Sequence, residues 1–389
     1  MKVILLTHGF PPSVGGVQNL LYNFCIRLRQ FNVVVFAQWC PGCKKFDCRN
    51  NLKISRYHNL FSFLPYRIRV LLFTFHLSFL FIPLAVLESP DLVWIGLESL
   101  SLQIPGKLIS LLLGIPMVTY VHGDFLPQEM KKTNWSTRLT LFLLRQNTHL
   151  LTNSFYTKSR LEKVGVPSEM ITVVSPGVDV DSFVPGDKSR ARQEIGLPSD
   201  GYLLLTVGRL DSRKNHAGVI RALAKLREDF PNLHYLICGD GDNLWKIKSL
   251  VKEYGVEDRV IFLGSVTDSQ LVKYYQACDL FVMPNVSLAE GDTEGLGMVF
   301  LEAAASEKPV IAGKAGGAPE TLINGKTGFV VNGQNCSEIA EKVASLLRNP
   351  QSAIEMGRQG RKMVAERFNW KRQASLMESV FMKEMLKKA

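Results

Sequence analysis

No aspartate or glutamate occurs between Cys48 and Leu87, and none occurs between Met130 and Leu161. Both stretches keep their cations: Arg49, Lys53, Arg56, Arg67 and Arg69 in the first, and Lys131, Lys132, Arg138, Arg145, Lys158 and Arg160 in the second. The positive charge therefore gathers in the first half of a chain whose net charge is +11. These segments are also rich in Phe, Leu and Tyr. That mixture suits an anionic membrane face better than DNA, so no nucleic-acid partner is expected. A Gly-x-Gly-x-x-Gly fingerprint is missing too, and a dinucleotide cofactor is not indicated. The seven cysteines form no regular framework. Cys40 and Cys43, with Cys48 nearby, have the Cys-x-x-Cys spacing of a redox or half-metal site. No second pair follows, and an ordinary loop with free thiols is expected. Met1 to Leu6 lacks a signal peptide's long apolar segment and runs at once into a turn, as a first strand does. A reducing cytoplasm is the expected setting.

The 389 residues exceed one ordinary core, and two domains of roughly 150–200 residues are expected. Apolar residues at 46% and charged residues at 21% describe a globular chain. Short apolar runs alternate with helical patterns. Strands are expected at 2–7, 33–37, 92–95, 116–121, 150–153 and 171–174, with helices including 17–30 and 104–113. A loop-rich passage around Ser175-Pro176-Gly177-Val178-Asp179 and Pro185-Gly186-Asp187 reads as the linker, dividing 1–184 from 185–370. The pattern then restarts with strands at 202–207, 234–238, 260–263, 280–283, 309–312 and 328–331. Strand–helix alternation implies two doubly wound parallel sheets of Rossmann type. If they face each other across a central cleft, the carboxyl ends of both sets of strands line it. Val70 to Leu87 carries no charge over eighteen residues. It is expected as a buried helix of the first domain, ahead of a surface helix touching lipid or a membrane span.

The strongest motif is Glu294-Gly295-Leu296-Gly297-Met298-Val299-Phe300-Leu301-Glu302. On one continuous helix the two glutamates would stand about 80° apart. The glycines instead place Glu294 in a loop and Glu302 on a helix starting near Gly297. Two carboxylates so placed can each accept a pair of adjacent sugar hydroxyls. The N–H groups of Gly297, Met298 and Val299 at the helix start suit a phosphate or sugar oxygen. A helix with acidic residues near its start is the plainer reading. In Val207-Gly208-Arg209-Leu210 with Lys214, a strand ends, Gly208 allows a close turn, and two cations follow that can hold a diphosphate and balance charge growing on a leaving group. Phe10 to Gln18 joins the first strand to the first helix, and Gly15 and Gly16 allow backbone approach to an anion. His122, in Tyr120-Val121-His122-Gly123-Asp124, ends a strand and points to a site or to the core. Gly239-Asp240-Gly241 and Gly264-Ser265-Val266 are strand-end loops able to frame a base and ribose. Asp179-Val180-Asp181 has the spacing of a metal-binding pair but lies in the linker passage, where a turn is expected.

Together these residues resemble retaining glycosyltransferases of the GT-B fold, family 4, over nearly the whole chain. Further markers are Ser175 to Asp179, Gly316-Gly317-Ala318-Pro319-Glu320 and Arg367-Phe368-Asn369-Trp370. The Pro-Pro-x-x-Gly-Gly loop and Glu-Gly-Leu-Gly are similar to phosphatidylinositol mannosyltransferase-like members. The resemblance implies that Glu302 binds the ribose and Glu294 the transferred sugar near O3. It implies that Arg209 and Lys214 hold the diphosphate, that His122 contacts the sugar and supports the transition state, and that Gly16 lets the first loop approach donor and acceptor. It further implies retention of configuration, no metal or other cofactor, and a last helix (371–389) that crosses back to the first domain. The expected donor is GDP-mannose or a UDP-sugar. The expected acceptor is lipid-linked or a carbohydrate precursor, with contact to an anionic membrane surface. A non-catalytic nucleotide-sugar-binding subunit is the alternative, and an NAD-dependent oxidoreductase is disfavoured by the missing fingerprint.

Overall fold

Parallel strands covered on both faces are built from continuous apolar runs, and the computed structural model forms its strands from such runs. It describes residues 1–61, 63–123, 135–289 and 291–387, with the side chains of 66 and 67 excepted. The chain divides into two compact units, 1–176 with 370–389, and 177–369. The first holds β1 (Lys2–Thr7), α1 (Gly16–Cys25), β2 (Asn32–Gln38), α2 (Cys43–Asp47), β3 (Lys53–Tyr57), α3 (Tyr66–Glu88) and β4 (Leu92–Ile95). It continues through α4 (Leu100–Leu113), β5 (Met117–Val121), α5 (Trp135–Leu144), β6 (His149–Thr152), α6 (Phe155–Lys163) and β7 (Ile171–Val173). Its seven strands run parallel in the order β3-β2-β1-β4-β5-β6-β7. Alternate residues of β1 feed two cores: Val3 and Leu5 one face, Ile4 and Leu6 the other.

The second unit holds α7 (Lys188–Glu194), β8 (Tyr202–Val207), α8 (His216–Lys225), β9 (Leu233–Cys238), α9 (Leu244–Glu253) and β10 (Val260–Gly264). After these come α10 (Asp268–Ala277), β11 (Leu280–Met283), α11 (Met298–Ala305), β12 (Val310–Gly313), β13 (Gly328–Val331), α12 (Cys336–Arg348) and α13 (Pro350–Arg367). Its six parallel strands are ordered β10-β9-β8-β11-β12-β13. The last helix, α14 (Trp370–Leu386), packs in the first unit: Trp370, Met377 and Phe381 join the core of Val3, Leu5 and Trp94. In both sheets the order reverses beside the first strand of the unit, between β1 and β4 and between β8 and β11. Such switch points open a crevice at the carboxyl ends of the strands.

The structure departs from expectation at several places. The unit boundary precedes 184/185, because the Val178 N–H donates to the Phe368 carbonyl at 2.7 Å and Arg361 donates to the carbonyls of Val180 and Phe183 at 2.9 Å each. These bonds tie 177–184 to the second unit. β3 was not expected, since Lys-Ile-Ser-Arg-Tyr is polar, as an edge strand can be. α1 ends at Cys25 rather than near residue 30, and α4 begins at Leu100, before Pro105. The buried reading of α3 is corrected. The stripe Phe73, Leu77, Phe81 and Ala85 enters the core, with Leu80 and Ile82 partly buried against it, while Leu71, Phe75, Phe79 and Leu87 are each more than two-thirds exposed. Among the described residues α3 is the one helix long and apolar enough to cross a membrane, with 28% of its apolar window buried.

Candidate active site

In the second unit, the candidate donor-site motifs lie beyond the carboxyl ends of strands. Gly208 and Arg209 follow β8, Gly239 and Asp240 follow β9, Val266 follows β10, and Glu294 to Gly297 lie between β11 and α11, which opens with Met298 and Val299. Glu294 is buried, and its Oε2 accepts from Lys214 Nζ at 2.5 Å. Burial alone would raise the Glu294 carboxyl. Lys214, then Arg213 and Arg209, outweigh it and hold the group below the usual carboxylate range. Glu294 is thus a fixed negative acceptor beside a fixed ammonium.

The loop after β8 is stiff for local reasons. Asp211 accepts from the Lys214 N–H at 3.1 Å. Asn215, at φ 58°, caps α8 through the Gly218 N–H and donates to the carbonyls of Pro284 and Gly333. Arg209 stands exposed at this loop's start. A Cβ on Gly239, at φ +135°, would lie 1.9 Å from the Gly208 carbonyl oxygen, so only glycine lets these two loops pass. The exposed Asp240 carboxylate accepts from the Gly241 N–H, and Val266 packs partly on the core of Leu236 and Met283.

The Glu294 backbone is locked from the other side. Gly317 donates to the Glu294 carbonyl at 2.9 Å, and a Cβ on Gly316, at φ +61°, would meet that oxygen at 1.9 Å. Gly297 caps α11 at φ 92°, so the helix starts at Met298, close to its expected start. Gly295, Met298 and Val299 are half-buried. The Leu296 side chain is not available to a ligand: it is buried beside Phe300 and Leu301, and any contact it makes runs through its backbone. Glu302, half-buried, accepts from the Tyr275 hydroxyl at 2.9 Å. Burial lifts its carboxyl to about 7, with the Tyr275 bond opposing and Asp268 adding to the rise.

In the first unit, His122 is buried past the end of β5. Its Nε2 lies 2.9 Å from the Gly96 carbonyl oxygen, which can only accept, so Nε2 carries a proton and donates it there. Sequence reasoning missed Glu98, whose buried carboxylate accepts from the backbone N–H groups of His122 (3.0 Å) and Gly123 (2.9 Å). Burial raises the Glu98 carboxyl, against the pull of His122 and these N–H groups. Gly15 caps α1 and Gly16 is its first residue. Arg56 on β3 steadies this loop by donating to the Pro11 carbonyl at 2.6 Å while paired with Asp47 at 2.6 Å. His8, after β1, lies 2.7 Å from the Tyr57 hydroxyl and within 2.9 Å of the Ser99 and Ser101 hydroxyls, and burial lowers it to about 4. Arg213, also missed, donates to the Thr293 carbonyl at 2.7 Å beside Glu294. Such partners sit far apart in sequence, and no local pattern marks them.

The turn expected at Asp179 is present, whereas Cys43 opens the short helix α2 rather than lying in an ordinary loop. Asp179 spends its carboxylate on the N–H groups of Asp181 and Ser182 in a turn. The thiols of Cys40, Cys43 and Cys48 are free. Asp124 lies outside the described residues.

Two parallel-sheet Rossmann-like units, the second carrying paired carboxylates and cations at its strand ends, define a GT-B glycosyltransferase. The model for glycosyl transferases group 1 matches residues 187–363, and that for Glycosyltransferase Family 4 matches 14–182. The chain belongs to this family and is a nucleotide-sugar-dependent glycosyltransferase. It is 32% identical to a GDP-mannose-dependent alpha-(1-6)-phosphatidylinositol monomannoside mannosyltransferase of Mycolicibacterium smegmatis, over 95% of each chain. A GDP-mannose-dependent monoacylated alpha-(1-6)-phosphatidylinositol monomannoside mannosyltransferase of Corynebacterium glutamicum is 27% identical over 98% of each. The structure of Anabaena HepE in complex with UDP and glucose shares the fold, with a TM-score of 0.80, 20% identity, and 98% of this chain and 100% of that one covered.

Proposed function

We propose that the protein transfers a mannosyl group from GDP-mannose to a hydroxyl of a lipid-linked acceptor, with retention and without a metal ion, at an anionic membrane surface. The observation that carries this reading is the buried Lys214–Glu294 pair at 2.5 Å. It sets an ammonium suited to a diphosphate directly against a carboxylate suited to sugar hydroxyls. Arg209 adds a second cation for the diphosphate, and Glu302 with Tyr275 offers a carboxylate for the ribose. His122 contacts the sugar, and Gly15 and Gly16 admit donor and acceptor to the first loop. As the bond from C1 to the β-phosphate oxygen breaks, Lys214 and Arg209 balance the charge gathering on the diphosphate. The acceptor oxygen bonds C1, and its proton passes to the leaving phosphate. Two side-chain cations so placed take the part that a divalent ion plays elsewhere, which supports the metal-free reading. The mannose donor and the inositol-lipid type of acceptor are supported by the names of the mycobacterial and corynebacterial relatives. The acid-free basic stretches and the bare face of α3 support membrane contact.

The test is nucleoside diphosphate release from a panel of GDP- and UDP-sugars, with and without a lipid extract and with and without EDTA. Release from GDP-mannose that rises with lipid and survives EDTA is expected, and NMR of the product reads the anomeric configuration. No release from any donor, with Glu294→Ala indistinguishable from the parent, overturns the reading.

A further inference from the structure

α3, α4 and α5 border an open apolar cavity of about 590 Å³ in the first unit, lined among others by Thr74, Phe75 and Ser78 of α3, Ile104 and Leu108 of α4, and Trp135 of α5. That volume is in the range of small-ligand sites, roughly 300–1,000 Å³. Its chemistry is narrow. The Thr74 hydroxyl donates to the Val70 carbonyl at 2.6 Å and the Ser78 hydroxyl to the Thr74 carbonyl at 2.8 Å, so both are spent on the helix itself. A sugar or nucleotide placed there would lose its water with little in return, whereas an alkyl chain has no polar group to satisfy. Leu71, Phe75 and Phe79, which line the cavity, are exposed, as are Leu111 and Leu112 elsewhere on α4 and Phe142 on α5. Exposed apolar surface spread over three neighbouring helices marks a contact face.

The charged residues of the three helices themselves are nearly all basic. α4 and α5 carry no acidic residue, and on α3 the sole acid is Glu88 at the far end, already paired with Lys2 and Lys53. The cations on these helices include Arg69, beside Val70 in sequence, Arg138, beside Leu139, and Lys107, whose ammonium donates to the Gln146 carbonyl at 2.8 Å. An apolar slot on helices that carry basic residues and, Glu88 aside, no acid matches a lipid that has an anionic head and a hydrocarbon tail.

We propose that this cavity receives one acyl chain of an anionic phospholipid drawn from the bilayer on which the protein works. The inference rests on the membrane-contact part of the proposed function and gives it a mechanism. A flat apolar patch lets a protein slide and rotate on a membrane. A chain held between three helices fixes the depth and orientation of the first unit.

The test uses the full chain with Trp39→Phe and Trp245→Phe, because Trp94 and Trp370 are buried and Trp135 then reports on the cavity. It is mixed with phosphatidylglycerol–phosphatidylcholine vesicles whose acyl chains carry bromine at mid-chain. Trp135 fluorescence should be quenched. Ser78→Phe, which fills the cavity, should abolish the quenching while the protein still co-sediments with the vesicles, and Val70→Phe is the second filling variant should the first not fold. Quenching that persists in a folded, filled variant overturns the acyl-chain site, as does co-sedimentation of the parent without quenching. Equal quenching by pure phosphatidylcholine vesicles overturns the anionic head. Failure of the parent to co-sediment removes the membrane reading as well, while diphosphate release from GDP-mannose in the same samples reports separately on the transferase.

Discussion

Lys214 and Glu294 neutralise each other at 2.5 Å with side chains only 11% and 10% exposed, so neither can be removed alone without stranding the other. Breaking a buried pair costs about 3–5 kcal/mol, whereas replacing both members by neutral groups of similar shape is far cheaper. Lys214→Met and Glu294→Gln should each lower stability in urea titrations, and the double variant should recover most of that loss. Turnover should not recover, because the diphosphate and sugar would still lack the partners proposed for them; each single change should cost about 10²–10³-fold in kcat. Recovery of turnover together with stability would make the pair structural only. Glu302 offers a pH signature. Its ordinary value is 4.5 and its folded value about 7. Between these the folded protein keeps a proton that the unfolded chain has lost. Stability should therefore fall as pH rises from about 4.5 to 7 and stay lower above it, by up to roughly 3 kcal/mol. Glu302→Gln should flatten that slope in pH-dependent melts. In the proposed ribose site the hydroxyls bond the ionised carboxylate, so donor binding at pH 6 should expel a proton from the parent and none from Glu302→Gln. Calorimetry in two buffers of different ionisation heat reads that proton, and equal proton release from both proteins would take Glu302 out of the ribose site.

Elements carry the site through their junctions, and the turn after β12 shows how. Gly316 (φ +61°) has the Glu294 carbonyl oxygen 1.9 Å from where its Cβ would be, while Gly325 (φ +75°) has nothing within 4 Å. Both positions demand left-handed backbone, which costs an ordinary residue about 1–2 kcal/mol. Gly325→Ala should show that cost alone in thermal melts, with turnover kept. Gly316→Ala should be less stable than Gly325→Ala and should lose donor turnover, since the Glu294 loop must move. Similar melts and similar turnover for the two would mean that the loop has room. The same junctions explain what could be read without coordinates. Runs such as Tyr-Leu-Leu-Leu-Thr-Val at β8 announce buried parallel strands, and glycines after them announce close turns, so the two sheets and the second-unit motifs were visible. β3 was not, because an edge strand needs no apolar run. The face of α3 was misjudged for a related reason. A helix apolar all round has no amphipathic period to say which stripe meets the sheet, and composition cannot tell a buried helix from one turned toward lipid. Tyr275, Glu98, Arg56 and Arg213 escaped because each owes its role to a partner brought near by the fold alone.

At the scale of the whole molecule, the chain leaves its first unit at Pro176 and returns to it at Trp370. The return was implied by family resemblance, and its physical basis lies in α14. Phe381 is fully buried, with its ring 5.7 Å from Phe31 and 5.8 Å from Trp94. Glu378 accepts from the Gln30 N–H at 3.0 Å, and Glu384 lies 3.5 Å from His149. A helix that follows the second unit in sequence thus completes the core under β1 and β2. Removing its central ring leaves a cavity in the first unit only, at a cost of about 3–5 kcal/mol. Phe381→Ala should therefore speed amide hydrogen exchange in β1, β2 and β4 and leave β8 and β9 as they are, read peptide by peptide by mass spectrometry. Leu301→Ala, in the core of the second unit, should do the reverse. Because the residues proposed to hold the nucleotide, Arg209, Lys214 and Glu302, all belong to the second unit, Phe381→Ala should keep affinity for GDP while losing turnover onto acceptor as the first unit loosens. Loss of GDP affinity in proportion to that loosening would show that the nucleotide site depends on the first unit's core.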